Sequence, residues 1–229
     1  MRREAIAFTS PALSFGFLVF TLACCLMPHA FFMIYAIVLA AGESRRMGTP
    51  KQLLPFGGKT VLQAVVDRLL HSRADGILVV LGCRADEISA SLADRPVRFA
   101  LNPAYAQGML SSVQAGVAAL PADATAALIC LGDQPLVDPA VVDRLIEAHR
   151  ETGAGIVIPT FDGKRGHPAL ISLRYRDEIL RLSGDPGLKA VMRGHPEDTV
   201  EVAVSRPEIL ADIDTPEDYQ KALTKFRGS

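Results

Sequence analysis

From Met33 onward, short continuous apolar runs alternate with stretches whose apolar residues recur at helical spacing, and this restricts the fold more than any other feature. The clearest runs are 34–39, 77–82 and 126–131, and 97–101 reads as another short strand. Between them, 60–72 places Val61, Leu62, Val65, Val66, Leu69 and Leu70 on one helical face, and 85–93 and 110–120 predict two further helices. Strands that are apolar at successive positions belong to a sheet covered on both faces. The β-α-β-α order therefore predicts an α/β fold, with a doubly wound, mostly parallel sheet in a single domain. The second half is less regular. Asp138-Pro139 reads as an N-cap followed by proline at the first helical position, opening a helix to about Arg150. Strands are expected at 156–159, 168–172 and 199–204. Thr215-Pro216-Glu217-Asp218 is a capping box before a last helix to about Lys225.

Charge and cysteines narrow the function. The chain carries 24 Lys+Arg against 25 Asp+Glu, a net charge of -1, without the basic excess of a nucleic-acid binder. Cys24, Cys25, Cys83 and Cys130 include no C-x-x-C pair, so neither a zinc ribbon nor a thioredoxin-type motif is expected. The pattern fits a reducing compartment.

In an open parallel sheet, ligands collect at the carboxyl ends of the strands. Two loops there carry chemistry. The first, 40–51, contains Gly42 and Gly48, small residues, and the cations Arg45, Arg46 and Lys51. Small residues let a backbone approach phosphate oxygens, arginine supplies a two-pronged donor, and lysine a mobile charge. The plainer alternative is a solvated basic loop. G-x-G-x-x-G is absent from this loop, and Gly58-Lys59-Thr60 lacks the leading P-loop glycine because position 53 is Leu, so Lys59 reads as a turn residue. The second loop is Gly132-Asp133-Gln134-Pro135. A carboxylate ending a buried strand needs a partner. Beside phosphates that partner is magnesium, and the plainer alternative is a turn-forming Asp. Asp212 and Asp214 flank Ile213 on one side of an extended segment; Asp214 is the better metal candidate, and Asp212 reads equally well as solvated.

These residues resemble a family signature. Leu39-Ala40-Ala41-Gly42, Ser44-x-Arg46-Met47-Gly48 and Lys51-x-Leu53-Leu54-Pro55 are similar to the opening motifs of MobA-like NTP transferases. Gly108-Met109-Leu110-Ser111-Ser112, Gly132-Asp133-Gln134-Pro135, Arg165-Gly166-His167-Pro168 and Asp212-Ile213-Asp214-Thr215-Pro216 follow in the family's order. The LAAG form resembles the molybdenum cofactor cytidylyltransferase branch.

The resemblance implies a Rossmann-like fold of the nucleotide-diphospho-sugar transferase type. It implies transfer of CMP from CTP to the terminal phosphate of molybdenum–molybdopterin, with Mg2+ as cofactor and an apo-molybdoenzyme as eventual recipient. Under it, Leu39, Ala40, Ala41, Gly42, Gly108, Ser111 and Ser112 bind the nucleotide, and Arg46 and Lys51 its phosphates. Asp133 holds the metal with Asp214, so Lys51, Arg46 and Asp133 form the catalytic set. His167 faces the acceptor; the plainer alternative is that, between Gly166 and Pro168, it closes a turn by hydrogen-bonding the backbone. Gln134 departs from the family's frequent Met and leaves substrate identity open. The alternatives are a guanylyltransferase, another NTP transferase acting on a phosphorylated small molecule, or a non-catalytic cofactor carrier.

Residues 1–32 read differently. Arg2 and Arg3 precede an apolar stretch at 12–27, then Pro28 and His29, which has the outline of an export signal and is short for a spanning helix of about 20 residues. Because an NTP is a cytosolic substrate and Met33 opens a strand, the expectation is a cytoplasmic domain over 33–229. The extension is then a mis-called start or a tail.

Overall fold

The sheet is built on β1 (Met33–Leu39), whose successive side chains are buried in opposite directions. The computed structural model describes residues 32–44, 47–184 and 187–228. The readings made on 1–31 and on Arg46 lie outside them. After β1 come a hairpin of β2 (Pro55–Phe56) and β3 (Lys59–Thr60), helix α1 (Val61–Leu70), β4 (Gly76–Leu81), α2 (Ala85–Ser91) and β5 (Arg98–Leu101). Helix α3 (Met109–Ala119), β6 (Ala124–Leu131) and α4 (Pro139–Thr152) follow. The rest of the chain supplies β7 (Ile156–Phe161), β8 (Lys164–Arg165), β9 (Ala169–Ser172), α5 (Arg176–Arg181), α6 (Lys189–Gly194), β10 (Thr199–Ala203) and α7 (Pro216–Arg227).

Among the described residues the main sheet has eight strands, in the order β10-β7-β9-β6-β1-β4-β5, with β8 attached to β7. Strands β5, β4, β1 and β6 are mutually parallel, as β10 is to β7. Strand β9 runs antiparallel between β6 and β7, a reversal that its short apolar sequence did not signal.

Ile34, Ala36, Val38 and Ala40 pack with α1, α2 and α4, while Tyr35, Ile37 and Ala41 pack with α3, α5 and α6. One strand thus feeds two cores, the physical content of a doubly wound sheet. A third apolar cluster joins Phe56 of the hairpin, Val61 and Ala64 of α1, and Ile213, with Tyr219 and Phe226 of α7 against it. The expected caps are present. The Asp138 carboxylate accepts from Ala140 N–H at 3.0 Å, and Thr215 and Asp218 cap each other reciprocally. No described helix is long and apolar enough to cross a membrane.

Candidate active site

Leu39 pairs with Val80 and Leu131, and Leu81 with Leu101, so β5, β4, β1 and β6 end level. From β1 the chain goes first to β4 and β5 on one side and later to β6 on the other. That reversal makes the end of β1 a topological switch point, where open α/β sheets place their ligands. A cleft of about 300 Å³ opens there. Leu39, Ala41, Gly42, Lys51, Gly108, Ser112, Asp133, Asp212 and Asp214 all line it.

At its centre the Lys51 ammonium contacts the Asp133 carboxylate and lies 2.9 Å from Asp214 Oδ1. The Lys51 and Asp133 side chains are 16% and 12% exposed, and Asp214 is 49% exposed. Burial is the largest influence on Lys51 and disfavours its charge. The two carboxylates more than reverse that effect and hold its pKa above the ordinary lysine value.

The loop after β1 is folded onto the segment that carries this lysine. Lys51 N–H donates to Ser44 Oγ at 3.1 Å, and the Ser44 hydroxyl donates to Gln52 Oε1 at 3.2 Å. Gln52, only 3% exposed, donates to the Gly42 carbonyl at 3.4 Å. Asp133 is set by the exit of β6, where Gly132 N–H donates to the Leu39 carbonyl at 3.1 Å. A Cβ at Gly132 would sit 2.7 Å from that oxygen, so glycine alone permits this approach. The Asp133 carbonyl accepts from Ile213 N–H at 3.2 Å, which brings the 212–214 segment alongside.

Not every residue expected at the nucleotide lies at the cleft. Ala40 is fully buried in the core beneath it, with its N–H bonded to the Val80 carbonyl at 3.0 Å. Strand alternation turns Ala40 away while Leu39, Ala41 and Gly42 remain at the surface of the cleft. Ser111 lines a neighbouring cavity instead. Its hydroxyl donates to the Gly108 carbonyl at 2.8 Å and accepts from Asn102 Nδ2 at 2.9 Å. Gly108 takes a φ of 105°, open to glycine, where it enters α3. Ser112 lines the cleft and accepts from the same Asn102 amide at 3.0 Å.

Gly42 differs from Gly132 and Gly108. A Cβ added there would meet nothing within 4 Å, and its φ lies outside the left-handed region. The fold does not need glycine at this position, whereas a ligand lying on the backbone would. We expect Gly42→Val to change the melting temperature by less than about 2 °C yet weaken at least about tenfold the binding of CTP, the ligand that the family resemblance implies, measured by calorimetry of the full chain.

The neighbouring cavity, about 860 Å³, shares Met109 with the cleft. Its walls include Val113, Ile129 and Ile158, with Arg165, Lys189 and Arg193 supplying cations. His167 lines it as well. Because β9 is antiparallel, its leading turn sits beside the end of β6, which carries His167 there from a distant part of the chain. Burial, the largest influence, lowers the His167 pKa and favours the neutral ring, and Nδ1 has no hydrogen-bond partner among the described residues.

No local pattern marks Asn102, Gln52, Tyr105 or the role of Gln134. Asn102 and Gln52 are buried polar residues whose partners lie on other elements, and Tyr105 lines the cleft. Gln134, expected near a substrate, is 4% exposed and donates to Asp212 Oδ1 at 2.5 Å and to the Ile209 carbonyl at 3.3 Å. Asp212 is accordingly tied to the rim of the cleft, where it remains exposed as the solvated reading expected. Partial desolvation of its carboxylate there, then the Asp133 charge, raise its pKa.

Known proteins are similar to this chain over most of its length. The chain is 31% identical over 195 residues to the molybdenum cofactor cytidylyltransferase of Escherichia coli, covering 84% of this chain and 97% of that one. It is 33% identical over 200 residues to a probable molybdenum cofactor guanylyltransferase of Mycobacterium avium, covering 84% and 95%. It is also 30% identical over 197 residues to the nicotine blue oxidoreductase of Paenarthrobacter nicotinovorans, covering 83% and 96%. A Mycobacterium tuberculosis protein crystallised as a complex with manganese superposes with a TM-score of 0.71 at 30% identity, covering 84% of this chain and 98% of that one. The profile of the MobA-like NTP transferase domain matches residues 36–200, and with the switch-point cleft and its Lys51–Asp133–Asp214 cluster in place, the chain belongs to that family.

Proposed function

We propose that the protein transfers CMP from CTP to the terminal phosphate of molybdenum–molybdopterin, releasing pyrophosphate. The observation that carries this reading is the Lys51 ammonium held between Asp133 and Asp214 at the mouth of the switch point, beside Gly42. The LAAG form at 39–42 favours cytosine, and the likeness to both cytidylyl- and guanylyltransferases supports nucleotidyl transfer in molybdenum cofactor synthesis. The described residues contain no group of three His, Cys, Asp or Glu side chains at metal-binding spacing. Two carboxylates converging on one cation suit magnesium, which completes its octahedron with phosphate oxygens and water. Asp133 and Asp214 would hold it, and when bound it supplies charge neutralisation along the triphosphate.

The work of the protein is positioning and electrostatics. The 39–42 backbone seats the nucleotide against the ends of β1 and β6. The larger cavity offers apolar walls and the cations Arg165, Lys189 and Arg193 to a flat, anionic acceptor. An acceptor phosphate oxygen attacks the α-phosphorus in line, the new P–O bond forms, and the bond to the β-phosphate oxygen breaks. Lys51 exchanges its carboxylate partners for the triphosphate and stabilises charge moving onto pyrophosphate, with Arg46 as its assigned companion. No general base is assigned, because the phosphate nucleophile is already ionised near neutral pH.

The test is pyrophosphate release by the full chain with CTP, GTP, ATP and UTP against molybdopterin, with and without magnesium. The expected result is release that requires both acceptor and metal and favours CTP at least about tenfold, a difference of roughly 1.4 kcal/mol. A reversed preference for GTP would assign the guanylyl reaction instead. Pterin binding without turnover would replace the enzyme reading with that of a carrier.

A further inference from the structure

We propose that Gln134 is a positioning residue for this reaction: its carboxamide fixes the 209–214 segment against the exit of β6 and so assembles the Lys51–Asp133–Asp214 cluster. The inference rests on the nucleotidyltransferase reading above. The 211–214 stretch belongs to no helix or strand, so few main-chain bonds define its place. Adjacent residues of the β6 loop hold it instead. The Asp133 carbonyl takes Ile213 N–H, and Gln134 Nε2 donates both to Asp212 Oδ1 and to the Ile209 carbonyl. The Ile213 side chain, 1% exposed, is seated in the apolar cluster with Phe56.

The Ile209 carbonyl also accepts from His167 N–H at 3.0 Å. One oxygen therefore joins the loop bearing Asp133 to the loop that lines the larger cavity. Asp212 and Asp133 share the cleft, and their like charges would push the segment outward. A charge-assisted bond from a buried amide opposes that push. Outer groups of this kind orient the residues that touch a metal or substrate.

Gln134→Met keeps the length of the side chain and removes its donor. In the full chain, we expect a melting temperature within a few degrees of wild type and a KM for CTP within about twofold. Turnover should fall about 10–100-fold. Mn2+ affinity in the presence of CTP, read from the EPR signal of the free ion, should weaken at least about fivefold. A second pair guards against simple loss of packing. Gln134→Asn and Asp212→Glu each change the reach by one methylene, and combined they restore the total length, so the double variant should recover turnover and Mn2+ affinity that each single variant loses. Wild-type turnover and Mn2+ affinity in Gln134→Met, or a double variant no better than its singles, would overturn the proposal. If the wild-type chain itself neither binds CTP nor releases pyrophosphate, the functional reading beneath it has failed instead.

Discussion

Asp133→Asn is expected to lower kcat about 10²–10³-fold while the protein remains folded. Asparagine matches the shape of aspartate, and the bonds that place the residue are main-chain bonds, from Gly132 to Leu39 and from Ile213 to the residue 133 carbonyl. What disappears is one negative charge on a side chain only 12% exposed, where solvent screens weakly. Lys51 keeps Asp214 as a partner at 2.9 Å, so its ammonium is not left unpaired. The stability cost is then about 1–2 kcal/mol, below that of stripping a buried charge of its only partner. For a chain of this size that is a loss of about 2–8 °C in melting temperature. Pyrophosphate release at saturating magnesium and thermal unfolding measure the two effects separately. Turnover near wild type would remove Asp133 from the catalytic set.

Lys51→Met should have the second largest effect, a fall in kcat/KM of about 10²-fold for CTP. Methionine retains an apolar stem and loses the charge. It also leaves Asp133 and Asp214, with Asp212 in the same cleft, without their shared cation. The variant should therefore gain more melting temperature from added magnesium than the wild type does. An unchanged kcat/KM would reject the role of Lys51 at the phosphates. The pH dependence has a definite sign. The folded-state pKa of Lys51 is raised, so its ion pairs stabilise the protein at neutral pH, and that contribution is lost only as pH climbs from the ordinary lysine value through the raised one. Unfolding in urea at neutral and strongly alkaline pH should show the wild type losing this increment and Lys51→Met lacking it.

Several parts of the site could be read along the chain. The carboxylate at 133 ends a buried run, and the glycine-containing turn at 42 follows another, so both were placed at strand ends by hydrophobic pattern alone. Asp214 stood out because it directly precedes a capping box, which the structure reproduces at Thr215 and Asp218. Other residues could not be placed this way. Ala40 and Ala41 are adjacent and identical in kind, yet one is sealed in the core and the other lines the cleft, because a strand turns neighbours to opposite faces. Ser111 and Ser112 divide between two cavities for a similar reason on the first turn of α3. Asn102, Gln52 and Gln134 are ordinary polar letters until their distant partners are known.

The amino-acid sequence determined the layers, the helix caps and the chemistry available at the strand ends, because these depend on periodicity and on neighbours within a few positions. The tertiary structure decided which of those groups meet. The single ammonium between Asp133 and Asp214, the antiparallel β9 that delivers His167, and the Gln134 bridge to Asp212 all follow from sheet order and register. Sheet order and register are fixed by the packing of two cores at once, and no local stretch of chain encodes them.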